Sequence, residues 1–205
     1  SELRFVAVAP CRIIDTRKAG GAIKAGSRTF DATLGSYATQ GGLAGSCNIP
    51  AYAVSIQLNL GAISQDNKTS DIKGWATGTS EPTASGVSYN PSGPGANTVT
   101  MPVNASGQFT LKTPGSAQVF ADVAGYYQRP LTASVSISGG VYQANASGLV
   151  SATHVSTGVY DLVWEREVEN CTAAVADTIF ADVREVSPDV TTNPSGANSM
   201  QVVVR

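Results

Sequence analysis

Hydrophobic and polar positions alternate in many short runs along this chain, which is the pattern of half-buried β-strands. The clearest run is 51–60, in which Val54, Ile56, Leu58 and Leu60 fall on one face. The side chains between them are polar, as expected where the other face meets solvent. The chain is therefore predicted to be built from strands of this kind.

Further strands are predicted along the whole chain, separated by loops rich in glycine, serine and asparagine. The 21 glycines and 10 prolines are scattered and leave little room for long helices. The predicted strands cover residues 1–17 with a turn at 10–11, then 28–34, 51–60, 72–79, 98–103, 108–112, 118–127, 133–138, 141–144, 149–154, 158–168, 172–186 and 199–204. Strands 98–103 and 108–112 are predicted to form a hairpin. The predicted fold class is all-β, with two antiparallel β-sandwich-like domains and little or no helix.

A linker is predicted at 128–132, where a proline coincides with a change in the sign of the charge. Residues 1–130 carry ten lysines and arginines against seven acidic residues, a net charge of +3. Residues 131–205 carry three against eight, a net charge of −5. The sequence therefore predicts a binding domain at 1–130 and a small β-domain at 131–205.

The second domain is predicted to have one buried strand face and to gain stability by oligomerisation. In the run 158–168, Tyr160, Leu162, Trp164 and Val168 share a face. A domain of about 75 residues is near the size at which a single core is marginal. An intertwined or packed homotrimer is the expected form of the protein.

Composition and charge exclude several classes of protein. Hydrophobic residues make up 42% of the chain, so it is expected to fold. Charged residues are only 14% and the net charge is −2, which predicts no nucleic-acid partner. No apolar run approaches the roughly 18 residues of a membrane helix, so the protein is not expected to be membrane-embedded. No signal peptide precedes the first strand, so an extracellular protein would be represented by its mature or trimmed form.

The three cysteines are too few for a disulfide scaffold and are badly spaced for zinc. The simplest arrangement is one bridge between Cys11 and Cys47 with Cys171 left over. The alternative is three reduced, buried thiols. Neither a metal nor a cofactor is predicted.

Catalytic groups are hard to find in this sequence. His154 is the only histidine, and no serine lies in a nucleophile elbow. The candidate carboxylates for glycoside hydrolysis are Asp66 with Asp71 on one loop and the row Glu165, Glu167 and Glu169. A solvated loop and a solvated strand face explain these carboxylates more simply. The protein is therefore predicted not to be an enzyme.

Aromatic residues with polar neighbours are the functional signal of the sequence. Sugar binding uses a flat aromatic face against the C–H face of the ring, with charged and amide groups on the hydroxyls. The predicted ligand-binding residues are Tyr37, Asp71, Lys73, Trp75 and Tyr89. Core packing is nevertheless the role that we favour for both Trp75 and Trp164, because both lie in alternating strands.

The charged run near the start of the chain has two interpretations. Asp15 and Arg17 lie two residues apart and therefore on one strand face. A structural ion pair or a turn-capping carboxylate is the interpretation we favour, and ligand recognition is the alternative.

Residues 1–128 resemble a β-rich extracellular domain found in bacterial secreted and cell-surface proteins. The matching segments are Pro10-Cys11-Arg12-Ile13-Ile14-Asp15-Thr16-Arg17, Cys47-Asn48-Ile49-Pro50, Ala53-Val54-Ser55, Gly74-Trp75-Ala76-Thr77, Ala96-Asn97 and Asp122-Val123-Ala124-Gly125-Tyr126-Tyr127. They cover most of the domain in the right order. The resemblance implies a pairing of Cys11 with Cys47 and no assigned catalytic residues.

Residues 132–205 resemble a β-domain that recurs at the tips of trimeric fibre-like proteins of bacteria and phages. The matching segments are Thr157-Gly158-Val159-Tyr160, Val168-Glu169-Asn170-Cys171 and the terminal valine-rich strand. Members often carry a second cysteine after the one that matches Cys171, and this chain has none, so no bridge is expected there. Together, the two domains resemble the tip of a trimeric adhesive fibre of the kind carried by predatory bacteria.

These observations predict a non-catalytic adhesin, a homotrimeric fibre tip that recognises a cell-surface glycan or envelope polymer. The expected location is extracellular or at the cell surface. One alternative is a structural spacer or cell-wall decoration domain without a ligand, and another is a polysaccharide hydrolase. A resemblance of fold does not by itself fix function, so the site has to decide between them.

Overall fold

A computed structural model gives the structure of the chain and describes residues 2–133, 146–156, 159–168 and 199–203. The chain divides into two compact units, Ser1–Gln128 (unit 1) and Arg129–Arg205 (unit 2). No helix among the described residues is long and apolar enough to cross a membrane.

Unit 1 is formed by one antiparallel sheet of seven strands that curls into a nearly closed, barrel-like form. The strands are β1 (Arg4–Asp15), β2 (Ile23–Asp31), β3 (Ser55–Ser64), β4 (Ser70–Ala76), β5 (Val87–Tyr89), β6 (Gly95–Pro102) and β7 (Gln108–Gln128). The one helix among the described residues is a single 3-10 turn, Ala38–Gln40. The all-β, antiparallel class with almost no helix is therefore confirmed.

The 21-residue strand β7 organises the sheet, because four strands pair with it. Its first half lies between β2 and β4, and its second half lies between β1 and β3. The two halves meet at Pro114 and Gly115, opposite a bulge between Lys24 and Gly26 of β2. A bulge tolerates a proline, which has no N–H to give to a ladder. β5 and β6 complete the sheet by pairing with β4 and β3.

The shorter strands follow one another in three successive pairs, and each pair is interrupted by a loop. The loops are 16–22 between β1 and β2, 65–69 between β3 and β4, and 90–94 between β5 and β6. The first two loops stay attached to β7, because Thr16 N–H donates to Val119 O (2.9 Å) and Gln65 N–H donates to Ser116 O (2.8 Å). The sheet curls where these loops lie.

Close packing inside the curled sheet leaves little room beside Gly74 of β4. A side chain on Gly74 would collide with Met101 of β6, although β4 and β6 are not hydrogen-bonded neighbours. The inward face of β3 belongs to the same core, and Ile56, Leu58 and Leu60 are completely buried. The alternation predicted for these three residues is confirmed.

Two local predictions for unit 1 are wrong. Residues 98–103 and 108–112 do not form a hairpin, because β6 pairs with β3 and β7 pairs elsewhere. The turn between them exists, with Asn104 Oδ1 accepting the N–H of Ser106 and of Gln108 at 2.9 Å each. The predicted turn at 10–11 is instead a register shift inside the continuous strand β1.

Unit 2 contains a three-stranded antiparallel sheet among its described residues. Its strands are β8 (Leu149–Ser156), β9 (Val159–Trp164) and β10 (Ser199–Val203), in the order β10-β9-β8. The predicted face of Tyr160, Leu162, Trp164 and Val168 is confirmed as a buried cluster.

Several predictions for unit 2 fall on residues that the structure does not describe. They are the strands 141–144 and 172–186, nearly all of 133–138, and the positions of Glu169 and Cys171. The sandwich form of the two domains and the homotrimer stay predictions.

Candidate functional site

Three of the predicted ligand-binding residues lie together on the outer surface of unit 1. Along β4, Ile72 and Ala76 are buried, whereas Asp71, Lys73 and Trp75 alternate with them and are partly exposed. Period-two alternation places these three side chains on the solvent side of the sheet. With Glu81, Thr110 and Lys112 beside them, they form the surface that we call the β4 face.

Glu81 holds two lysines together on the β4 face. Lys73 and Lys112 lie directly opposite each other on β4 and β7, an arrangement in which like charges repel. Glu81 offsets this repulsion, with its carboxylate oxygens 3.4 Å from Lys73 Nζ and 2.6 Å from Lys112 Nζ. The hydrogen bond from Lys112 lowers the pKa of the Glu81 carboxyl from its usual value. The group presents ammonium donors and carboxylate acceptors side by side.

Trp75 lies beside a row of threonine hydroxyls. Across the ladder it faces Thr110, whose Oγ1 lies 2.9 Å from that of Thr77 and 3.4 Å from that of Thr29. Within the part of the chain that the structure describes, the Trp75 indole has no hydrogen-bond partner. The site therefore offers part of an aromatic face, a free N–H donor and adjacent hydroxyls.

Asp71 lies at the other end of the outer row of β4. Its Oδ2 accepts a hydrogen bond from Ser85 Oγ at 2.6 Å. The second oxygen, Oδ1, makes no hydrogen bond with any described residue. Asp71 therefore has acceptor capacity left for a ligand hydroxyl.

Burial removes Tyr37 and Tyr89 from the predicted set of ligand-binding residues. Tyr37 is completely buried, its hydroxyl donates to Ala32 O at 2.7 Å, and desolvation raises its pKa to about 12. Tyr89 is only 1% exposed, with its hydroxyl oxygen 2.7 Å from Thr113 Oγ1. Both rings pack in the core and have no face to offer a sugar.

Sequence reasoning missed the residues of the β4 face that do not lie on β4 itself. Glu81, Thr110 and Lys112 belong to the β4 face, yet they lie far from Trp75 in sequence or in a loop. The strand register between β4 and β7 brings Thr110 and Lys112 there, and the loop that follows β4 brings Glu81. The sequence carries no local signal of that register.

The charged run near the start of the chain forms a structural ion-pair cluster. Asp15 is completely buried and accepts bonds from Arg17 Nε at 2.7 Å and Arg17 Nη2 at 2.8 Å. Arg12 Nη1 adds a third bond at 3.2 Å, and Arg12 also binds both oxygens of Asp122 at 2.6 and 2.8 Å. Every charge in the cluster is paired, in accord with the structural interpretation.

Phe120 supports the two arginines of this cluster. The guanidinium carbons of Arg12 and Arg17 lie 5.2 and 5.0 Å from the centre of its ring, within the range of cation–π attraction. The ring occupies the space above Gly61, where any side chain would collide with it. The cluster is therefore fixed in position by packing as well as by charge.

Because of the Asp15 cluster, the stability of unit 1 is expected to fall at acid pH. Hydrogen bonds from Arg17 lower the pKa of Asp15 from its ordinary value of 3.8 to about 2. A lowered folded-state pKa gives stability that is fully present above pH 4 and is lost as the pH falls towards 2. Protonation of Asp15 is therefore expected to lower the free energy of unfolding of unit 1 by about 2 kcal/mol, at about 1.4 kcal/mol per pKa unit. Urea unfolding between pH 5 and 2 measures it, and Asp15→Asn should remove this part of the slope. An unchanged slope in that variant would contradict the assignment.

Two of the candidate hydrolytic carboxylates, Asp66 and Glu165, have structural partners. Asp66 Oδ2 accepts the N–H of Ser116 at 3.0 Å, and its Oδ1 accepts that of Lys68 at 3.3 Å. Glu165 lies 3.6 Å from Arg166, and the His154 ring lies 5.1 Å from that of Tyr160. Among the described residues, no group of three or more His, Cys, Asp or Glu side chains is placed to hold a metal ion.

The predicted disulfide is present in unit 1. Cys11 and Cys47 are bonded, with their Cα atoms 5.8 Å apart and a sequence separation of 36. The bridge fastens the loop before β3 to strand β1. Such a bridge fits the chemistry of an oxidising compartment.

No protein-family model matches this chain, and the search of curated proteins also found no match.

Proposed function

We propose that unit 1 is a non-catalytic recognition module that binds an envelope glycan through the β4 face. The observation that carries the proposal is the position of Trp75, partly exposed and without an internal partner, between a row of hydroxyls and the Lys73–Glu81–Lys112 group. An aromatic face packs on the C–H face of a sugar, and neighbouring polar groups fix its hydroxyls. The solvent-exposed outer surface of the sheet is accessible to a polymer that lies across it.

The wider proposal is a homotrimeric fibre tip at the cell surface, in which each of the two domains has a sandwich-like form. The resemblance of the sequence motifs to secreted domains and fibre tips supports it, and so does the disulfide. Several identical sites on one tip would gain avidity, so the affinity of a single site is expected to be weak, about millimolar. Light scattering tests the trimer directly, and a monomer at micromolar concentration would contradict it.

Replacing Trp75 with alanine is expected to weaken glycan binding by at least tenfold, which corresponds to about 1.4 kcal/mol. The chain has two tryptophans, Trp75 and the buried Trp164, so Trp164→Phe leaves Trp75 as the only fluorescent reporter. A glycan array first selects ligands, and quenching of Trp75 in the Trp164→Phe protein then gives their affinity. Array binding then compares Trp75→Ala with Trp164→Phe, the matched control, which should bind normally.

The spacer hypothesis makes the opposite prediction for the same experiment. The charged groups of the β4 face already satisfy one another, as the ion pairs of Glu81 show. A purely structural surface would bind no glycan in the array, and the fluorescence of Trp75 would not respond to any. Binding that persists unchanged in Trp75→Ala would instead move the site away from the β4 face.

A further inference from the structure

A shallow cavity that is open to solvent lies in unit 1 between strand β1 and the segment 42–44. It is lined by Pro10, Cys11, Arg12 and Lys18 on one side and by residues 42–44 on the other, and its volume is about 390 Å³. Sites for small ligands enclose about 300–1,000 Å³, so this cavity has room for one small molecule. We call it the Lys18 cavity.

The walls of the Lys18 cavity are held in place by covalent and backbone contacts. The Cys11–Cys47 bridge ties the segment to β1, and Leu43 N–H donates to Arg12 O at 2.8 Å. Gly42 packs so closely that a side chain there would meet the Arg12 carbonyl oxygen at 2.5 Å. The cavity is therefore preformed, and a ligand entering it would not have to order a loop.

Lys18 is the free cation at this cavity. Arg12 is bound to Asp122 and Asp15, and Arg17 is bound to Asp15. Lys18 is exposed and forms no ion pair with any described residue. With three cations and two carboxylates, the cluster and the cavity together carry a net charge of +1, which is located on Lys18.

The rest of the lining is mainly apolar. Pro10, Cys11, Leu43 and Ala44 contribute to this lining, and Leu43 is 50% exposed. A single ammonium beside an apolar wall matches one carboxylate carried on a ring with a C–H face. It does not match a phosphate, which is typically held by several N–H donors or by a bidentate arginine.

We propose that the Lys18 cavity is a second binding site, which takes a sugar acid of the hexuronate type. The carboxylate pairs with Lys18 Nζ, and the ring lies against Leu43, Ala44 and Cys11. This site is separate from the β4 face and does not depend on glycan binding there. Its ligand would be a free uronate or a terminal uronate residue of a polysaccharide.

The experiment is an NMR titration of the isotope-labelled protein with glucuronate, its methyl ester, glucose and inorganic phosphate. Glucuronate is expected to shift the amide signals of residues 10–18 and 42–44 saturably. The methyl ester keeps the ring but loses the charge, so we expect at least tenfold weaker binding, and the same for glucose and phosphate. Equal binding of the ester, of glucose or of phosphate would overturn the proposal.

Two variants test the residues of the Lys18 cavity, and two serve as controls. Lys18→Met removes the charge at similar length, and Ala44→Phe fills the cavity from an exposed position; each should weaken glucuronate binding at least tenfold. Lys68→Met removes another exposed lysine, and Trp75→Ala alters only the β4 face; both should leave this binding unchanged. Unaltered amide spectra outside the cavity establish that each variant is folded. Full affinity in either Lys18→Met or Ala44→Phe would refute the assignment.

Discussion

Replacing Asp15 with asparagine is expected to lower the free energy of unfolding of unit 1 by about 2 kcal/mol, because neutralising this carboxylate with acid removes about that much. The Asp15 carboxylate is completely buried and is bonded to both Arg17 and Arg12. Asparagine has nearly the same volume, so packing is preserved. The loss comes from the arginines, which keep their charge beside a neutral amide.

Urea unfolding followed by Trp75 fluorescence in the Trp164→Phe background measures this loss in unit 1 alone, because Trp75 is then the only tryptophan. Asp122→Asn is the matched control, since Asp122 belongs to the same cluster but its side chain is 30% exposed. Water replaces part of the interaction between Asp122 and Arg12, so Asp122→Asn is expected to lower the free energy of unfolding by about 1 kcal/mol or less. Equal losses in the two variants would contradict the role given to burial.

Removing the disulfide by Cys11→Ser with Cys47→Ser is expected to destabilise unit 1 by about 4 kcal/mol. The bridge closes a loop of 36 residues, and the chain-entropy model gives about this value for such a loop. The same change should weaken glucuronate binding, because the segment that forms one wall of the Lys18 cavity loses its covalent tie to β1. Two independent measurements, urea unfolding and the NMR titration, therefore respond to the same double substitution.

Cys171→Ser is the control for the double substitution. Cys171 belongs to unit 2 by sequence and lies outside the described residues. Its replacement is expected to leave the unfolding of unit 1 unchanged. A destabilisation equal to that of the double variant would show that thiol chemistry elsewhere, and not the Cys11–Cys47 bridge, controls the stability of this unit.

Local periodicity predicted those features in which neighbours in sequence are also neighbours on a face. The buried residues of β3 and the cluster of Tyr160, Leu162 and Trp164 follow from alternation alone. Lys73 and Trp75 share an outward face of β4 by the same alternation, but the core packing expected for Trp75 was wrong, because its side chain is partly exposed. For such features no knowledge of the partner strand is required.

Features that depend on strand partners were not accessible from the sequence. The pairing of β6 with β3, and the joining of 108–112 with 118–127 into β7, depend on contacts far along the chain. Pro114 and Gly115 look like a break in the sequence, yet the bulge of β2 accommodates them.

Loop composition was misleading for the two tyrosines. Tyr37 and Tyr89 are surrounded in sequence by glycine, serine and asparagine, which normally indicate solvent exposure. Their rings are nevertheless buried, because each hydroxyl has a partner inside the core, Ala32 O for Tyr37 and Thr113 Oγ1 for Tyr89. A buried polar group with a partner carries no large penalty, and residue type alone does not reveal that partner.

The position of β7 at the end of unit 1 has a consequence for the order of folding during synthesis. Among the described residues, β1 and β2 have no strand partner except β7, and residue Arg4 pairs with Gln128. A ribosome must therefore complete nearly the whole unit before its first thirty residues can join a sheet. Contacts of such high sequence separation make folding slow. Until residue 128 emerges, the amino-terminal segment lacks its strand partner and is accessible to chaperones, a state in which a chain can still be threaded through a narrow channel.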